Sequence, residues 1–218
     1  MAKRIRKETI LVFSAHSDDF VIGAGGAIAS YVQQGKTVRV IVMSYGEMSH
    51  PWLKGKVIQK IRSEEAFEAA NVIGCKAKFF DLKEGKFEDE FKKKKIEGEI
   101  LKLIKKEKPI KIFTHSSEDP HPDHRAVNAI TQELTEKLNY NPELYIYSVW
   151  NPVSFRTKYP SLYIKTPKTF FMKLKALNKF KSQKFQAIYP LMIMIFFRAI
   201  KDGFKIRSWF GEHFFRIK

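Results

Sequence analysis

One cysteine, Cys75, stands in a chain of 218 residues. That scarcity excludes an intramolecular disulfide and a cysteine-based zinc site, and it suits a reducing compartment. Long apolar runs are missing too. The most apolar stretch, residues 187–197, is 11 residues long and contains Pro190, against the roughly 20 residues that a spanning helix needs. The basic residues at 1–7 lead into only about six apolar residues before His16, too few for a signal-peptide core. A soluble, cytoplasmic protein is therefore expected, with a peripheral contact at the inner membrane surface compatible with the sequence. The glycines at 23, 25 and 26 do not form GxGxxG, and residues 39–45 supply no acidic group at the end of a second strand, so dinucleotide binding is excluded. No internal repeat or low-complexity linker is present.

Acidic residues are in short supply: 23, against 40 lysines and arginines, for a formal net charge of +17. Such a field attracts nucleic acid, anionic lipid headgroups and phosphorylated small molecules alike. The four lysines at 92–95 fit equally well on a solvated helix face.

What is present is an alternation of strand and helix. Residues 9–15, TILVFSA, are apolar throughout, as in a strand buried on both faces. A helix over AIASYVQQG follows, stopped by Gly35, then a strand at 37–45, a helix over 57–73 ended by Gly74, and a short strand, AKFFDL. A lysine-rich helix over 88–106, a strand at 110–116, a helix over 124–138 and a strand at 143–150 continue the pattern. The expected fold is α/β and Rossmann-like, a mostly parallel sheet with helices on both faces. Beyond residue 150 prolines punctuate one strand, SLYIKT, and from Lys168 onward the sequence predicts a helical, basic and aromatic tail. Residues 1–218 are read as a single domain, with 151–218 a C-terminal elaboration of it.

In such sheets the functional crevice lies beyond the carboxyl ends of the strands. Two strands end there in histidine-bearing loops. The first delivers His16, Asp18 and Asp19; the other delivers HSSEDPHPDHRA, with His115, Asp119, His121, Asp123 and His124. His121 and His124 are three apart, so at a helix start both can face one side. One can then bind a metal while the other works on a substrate. Two histidines and one carboxylate with an open position suit catalytic zinc, which lowers the pKa of bound water to about 7. The competing reading of Asp18 and Asp19 is as helix caps.

AHSDDF at 15–20 and HPDH at 121–124 together resemble the PIG-L/LmbE-like de-N-acetylases, whose usual signatures are AHPDDE and HPDH or HxDH. RSEEAFEAANVIG at 62–74, KLKALNKFKSQ at 173–183 and GEHFFR at 211–216 extend the resemblance to roughly residues 9–216. Ser17 stands for the usual proline and Phe20 for the usual glutamate. The resemblance implies that His16, Asp19 and His124 bind Zn2+, that Asp18 is the general base, that His121 stabilises an oxyanion or donates a proton, and that Asp123 orients a histidine. It also makes Arg62 a substrate-contacting candidate, although a surface salt bridge to Glu65 or Glu68 would use the residue equally well. Glu47, in the loop after the second strand, is placed to touch a sugar hydroxyl or to be solvated. Asp119 is expected to partner a ligand histidine and His115 to pack beneath the site; His50 and His213 carry no spacing signal.

The implied function is zinc-dependent removal of the N-acetyl group from an N-acetylglucosamine-type sugar or glycoconjugate, releasing acetate and a free amine. The lysines and phenylalanines between 165 and 185 beside LMIMIFF also suit a surface lying on anionic lipid. An anionic or lipid-linked substrate is accordingly expected, and an oligomer is compatible. Two alternatives stand beside this: a basic nucleic-acid-binding module without catalysis, and a metal-dependent amidohydrolase acting on a non-sugar amide.

Overall fold

A strand with no polar face must lie at the centre of a sheet covered on both sides. In the computed structural model, which describes residues 7–47, 55–151 and 158–218, β1 (Thr9–Ser14) is such a strand, buried along its whole length. Its side chains alternate between two cores, Ile10 and Val12 on one side, Leu11 and Phe13 on the other. β2 (Thr37–Val42) and β3 (Lys76–Phe79) extend the sheet one way in parallel. β4 (Lys111–His115) and β5 (Glu143–Tyr147) extend it the other way, also in parallel.

The full order is β3-β2-β1-β4-β5-β7-β6, with β6 (Ser161–Lys165) at the edge and β7 (Gly211–Arg216) antiparallel to both neighbours. The mostly parallel α/β class is as expected. The sequence predicts a helical tail from Lys168 to the end, and the structure corrects this: the final segment is a strand inserted between β5 and β6. The burial of Gly211, Glu212 and Phe214, with only partial burial of His213 and Phe215, is a two-residue period, too short and too flanked by helix-like sequence to stand out.

One face of the sheet is covered by α1 (Asp19–Gln33), α2 (Gly55–Ile73), α6 (Thr169–Leu177) and α7 (Tyr189–Lys205). The other carries α3 (Phe87–Lys93), α4 (Ile96–Glu107) and α5 (Pro122–Glu136). The single helix expected over 88–106 is thus two. Phe91 and Ile96, both buried, are five residues apart, which puts them on different faces of a continuous helix. Lys95, in the left-handed region at φ 53°, re-aims the chain so that both reach the core.

The glycines after the first motif lie inside α1 rather than ahead of it. A Cβ at Gly23 would run into the Tyr147 ring, and one at Gly26 would come within 3.1 Å of Glu212 Oε1. They are retained at a cost of about 1 kcal/mol of helix propensity each, because the sheet and the C-terminal elements pack directly on the helix backbone. Among the described residues no helix is long and apolar enough to cross a membrane.

Cys75 is buried between α2 and β3, and burial pushes its thiol up to about 12. The nucleophilic thiolate is therefore scarce at any pH below that value. The native protein should be inert to a disulfide exchange reagent near neutral pH, and labelling should follow the unfolding curve in denaturant; rapid stoichiometric labelling of folded protein would contradict this burial.

Candidate active site

The sheet order reverses direction between β1 and β4, and a crevice opens there beyond the carboxyl ends of the strands. Both histidine-bearing loops enter it. The loop after β1 carries His16, Asp18 and Asp19; the loop after β4 leads into α5 through His121, with Pro122 in its first turn. Proline fits that position because its missing N–H has no partner to lose.

His16, Asp19 and His124 are all buried and offer one ligand atom each within 4.8 Å of one another. Asp19 Oδ2 is the hub, 3.3 Å from His16 Nδ1 and 3.3 Å from His124 Nε2. The far nitrogen of each histidine faces another carboxylate: His16 Nε2 lies 3.2 Å from Asp123 Oδ2, and His124 Nδ1 lies 3.0 Å from Asp119 Oδ1. Histidines that hold a metal are normally backed in this way. His124 makes no aligned hydrogen bond at either nitrogen, and a buried ring nitrogen facing a carboxylate off-axis has the disposition of two ligands aimed at one point. The electrostatics agree. Burial alone would lower His16, but Asp123 and Asp19 outweigh it and lift it to about 10; Asp19 and Asp119 likewise raise His124 to about 9 against its burial. A field that strongly favours positive charge between these groups fits a divalent cation.

His16 also groups with His121 and Asp123. Its second histidine disfavours that set as the primary one. Asp123 Oδ1 accepts from Gly85 N at 2.9 Å while its Oδ2 faces His16. His121 is only half-buried, and its Nδ1 accepts from Asp123 N at 3.2 Å, capping α5. That bond places the proton of the neutral ring on Nε2, so a donor remains for a ligand. Burial and the neighbouring His16 and His124 hold His121 below the ordinary imidazole value.

Asp18 occupies the cap position of α1 but makes no side-chain cap hydrogen bond, so the capping reading does not account for it. Asp19 does have a local partner: its Oδ2 accepts from His16 N at 2.8 Å. Burial, then the adjacent Asp19, raises Asp18, while His124 and His16 overcome burial and hold Asp19 well below the usual carboxylate range. Two neighbouring carboxylates are thereby pushed apart.

The resulting cavity, about 150 Å³, is lined by His16, Asp18, Asp19, Arg62, Glu84 and His121, with Trp150, Gln183 and Gln186 among its rim. Arg62 is only 3% exposed, so the surface salt bridge is not its role. Glu65 instead accepts from Ser182 N and Oγ at 2.9 and 2.6 Å, and Glu68 pairs with Lys179 at 3.1 Å. Arg62 Nη1 donates to the carbonyl of Gly46, whose φ of +78° and lack of a Cβ admit the guanidinium. Glu47 is half-buried and does not line this cavity; Ser44 Oγ approaches its carboxylate at 3.4 Å. His115 packs beneath the site as expected, its Nε2 accepting from Ala15 N at 2.9 Å, while Tyr147 Oη donates to Phe13 O at 2.6 Å. His213 lies away from the cavity on β7, stacked on Tyr163, and His50 lies outside the described residues.

Sequence reasoning passed over Glu84, whose Oε1 is 3.4 Å from His16 Nε2, and gave Gln183 no role. Glu84 sits in the lysine-rich loop after β3 with no motif to mark it. Gln183 was visible only as the end of the Ser-Gln pair, and it reaches the cavity because Glu65, one turn from Arg62 on α2, anchors Ser182.

The profile described as PIG-L: GlcNAc-PI de-N-acetylase matches residues 11–135. Among curated proteins, the 4-oxalmesaconate hydratase of Pseudomonas putida is 32% identical over 147 residues, which are 62% of this chain and 56% of that protein; the chain thus spans little more than half of its length. Among solved structures, the 4-carboxy-2-hydroxymuconate hydratase of Pseudomonas putida superposes with a TM-score of 0.82 at 22% identity, covering 97% of this chain and 96% of that one. The N,N'-diacetylchitobiose deacetylase of Pyrococcus horikoshii superposes with a TM-score of 0.79 at 23% identity, covering 96% and 84%. These two superpositions establish a shared fold. With the profile spanning more than half of its length, the chain belongs to the PIG-L (GlcNAc-PI de-N-acetylase) family.

Proposed function

We propose that the protein is a zinc-dependent N-deacetylase acting on an N-acetylglucosamine-type sugar or glycoconjugate. The observation that carries this reading is the division of labour around one cavity: His16 and Asp19, which line it, are grouped with the buried His124 as three possible ligands, while Asp18 and His121, neither needed as a ligand, line it too. His16, Asp19 and His124 would hold the metal, with Asp123 and Asp119 as positioning residues. Two histidines and one carboxylate match the ligand preferences of catalytic zinc, which when bound polarises a carbonyl and acidifies water.

The remaining steps belong to the chain. Asp18 takes a proton from the attacking water as its oxygen adds to the acetamide carbonyl carbon. The Nε2–H of His121 donates to the oxygen on which negative charge develops. Arg62, held by the Gly46 carbonyl, orients the sugar. As the C–N bond breaks, the proton on Asp18 passes to the departing nitrogen, and acetate and the free amine leave.

The test is elemental analysis of the purified chain together with acetate release across N-acetylated sugars and glycolipids. The expected result is about one zinc per chain, since both candidate ligand groups share His16, with that zinc lost in His16→Ala, and stoichiometric amine and acetate from at least one substrate. Metal-free protein, or zinc unaffected by His16→Ala, would overturn the reading.

A second reading, hydration of an unsaturated carboxylate, is favoured by the identity to the hydratase. It too needs activated water. The cavity's lining weighs against it: among the described residues Arg62 is the one lysine or arginine that lines it, beside Asp18 and Glu84, so a substrate with several carboxylates would find one guanidinium besides the metal. Hydration would give a product heavier by one water with no acetate released, so mass analysis separates the two.

A further inference from the structure

We propose that the outer face of α7, with the turn that precedes it, is a docking surface for an anionic membrane, on which the chain lies without crossing. This inference is independent of the reaction catalysed.

α7 buries Leu191, Ile195, Ala199 and Gly203. A helix of a soluble domain would turn polar residues the other way. Here the opposite face presents Tyr189, Ile193, Phe197, Ile200 and Phe204, a stripe at helical spacing along a 17-residue helix. Exposure is 84% at Ile193 and 85% at Phe204, with Phe185 at 82% before the helix and Trp209 at 84% after it. Isolated exposed apolar residues are ordinary, but a continuous aromatic and aliphatic stripe marks an interaction surface.

Charge identifies the occupant. Residues 158–218 hold fourteen lysines and arginines and only two acidic residues, Asp202 and Glu212, both buried. The solvent-facing charge of this segment is therefore entirely positive. Lys201 and Lys205 flank the stripe with their ammonium groups 5.9 Å from the Phe197 ring and 5.6 Å from the Tyr163 ring, and such stems can extend toward headgroups while the stripe sinks among acyl chains. Pairing with a second copy would set one cationic rim against another. A nucleic acid would engage the cations and leave the aliphatic stripe in water. An anionic bilayer satisfies both parts at once. The helix is not long and apolar enough to cross it.

The stripe also begins at the rim of the cavity. Gln186 and Ala187 line it, while Phe185 and Tyr189 beside them stand outward, rings 5.4 Å apart. Docking on this face would set the cavity mouth near the interface.

The experiment is co-sedimentation of the full chain with vesicles of equal parts phosphatidylglycerol and phosphatidylcholine, and with phosphatidylcholine alone. The wild type should sediment with the anionic vesicles and stay in the supernatant with the zwitterionic ones. Ile193→Glu combined with Phe204→Glu should lower partitioning about tenfold or more, with circular dichroism and thermal midpoint unchanged because both side chains face solvent. No sedimentation with anionic vesicles, or equal sedimentation of the double variant, would overturn the proposal. So would light scattering that shows a dimer dissolved by the same two substitutions, or salt-steep DNA binding abolished by them.

Discussion

Asp18→Asn is expected to lower kcat/KM for an N-acetylated sugar about a thousandfold, the ordinary weight of a positioned general base. The substitution keeps the shape of the side chain. It removes no cap, since Asp18 makes no side-chain cap hydrogen bond, and the helix start retains Val21 N and Ile22 N bonded to the Asp18 carbonyl. A metal held by the proposed set should remain, because Asp18 is outside the group formed by His16, Asp19 and His124. Intact zinc and thermal midpoint with collapsed turnover separate a proton-transfer role from a structural one. Undiminished turnover would remove Asp18 from that role.

The second large effect lies away from the cavity. Glu212 on β7 is buried, its two carboxylate oxygens accepting from Gly26 N at 3.1 Å and Ala27 N at 2.7 Å, and Lys173 on α6 donates to it at 2.7 Å. One side chain thus joins α1, α6 and β7. Glu212→Ala would leave the buried Lys173 ammonium without its counter-charge, a loss of about 3–5 kcal/mol. Glu212→Gln keeps hydrogen-bonding capacity and should cost less. Combining Glu212→Ala with Lys173→Met should recover part of the loss, because the uncompensated charge is gone. Urea unfolding of the four proteins measures this, and a midpoint unchanged in Glu212→Ala would show that the pair contributes nothing.

These two sites illustrate what can be read from sequence and why the rest cannot. His16, Asp18, Asp19, His121, Asp123 and His124 were legible because strand ends and helix starts have local signals, and because two clusters of metal-ligating residues at two such ends are improbable by chance. Their convergence follows once β1 and β4 are neighbours. The inserted β7 was not legible: its pairing with residues at 145–146 and 161–165 is long-range, and a six-residue alternation carries little information by itself. The break at Lys95 escaped for the opposite reason, since local propensity continues through the lysines and only the need to bury both Phe91 and Ile96 breaks the helix.

Arg62 shows the same limit at the site. On a charged helix its sequence neighbourhood offers Glu65 and Glu68 as partners, and only the packing of α2 against the 3₁₀ turn at Lys181–Gln183 assigns those acids to Ser182 and Lys179. Arg62 is then left to face Gly46 and the cavity.

By itself, then, the sequence determined the class of sheet, the central buried strand and which two strand ends carry the clusters of histidine and aspartate, since these depend on apolar periodicity and on residue chemistry within short windows. Tertiary structure decided which nitrogen of each histidine faces Asp19 and which faces a backing carboxylate, that Arg62 belongs to the cavity and Glu47 does not, and that α7 keeps a second apolar face in solvent. Those outcomes depend on the orientation of side chains brought together from distant parts of the chain, and no local pattern carries that information.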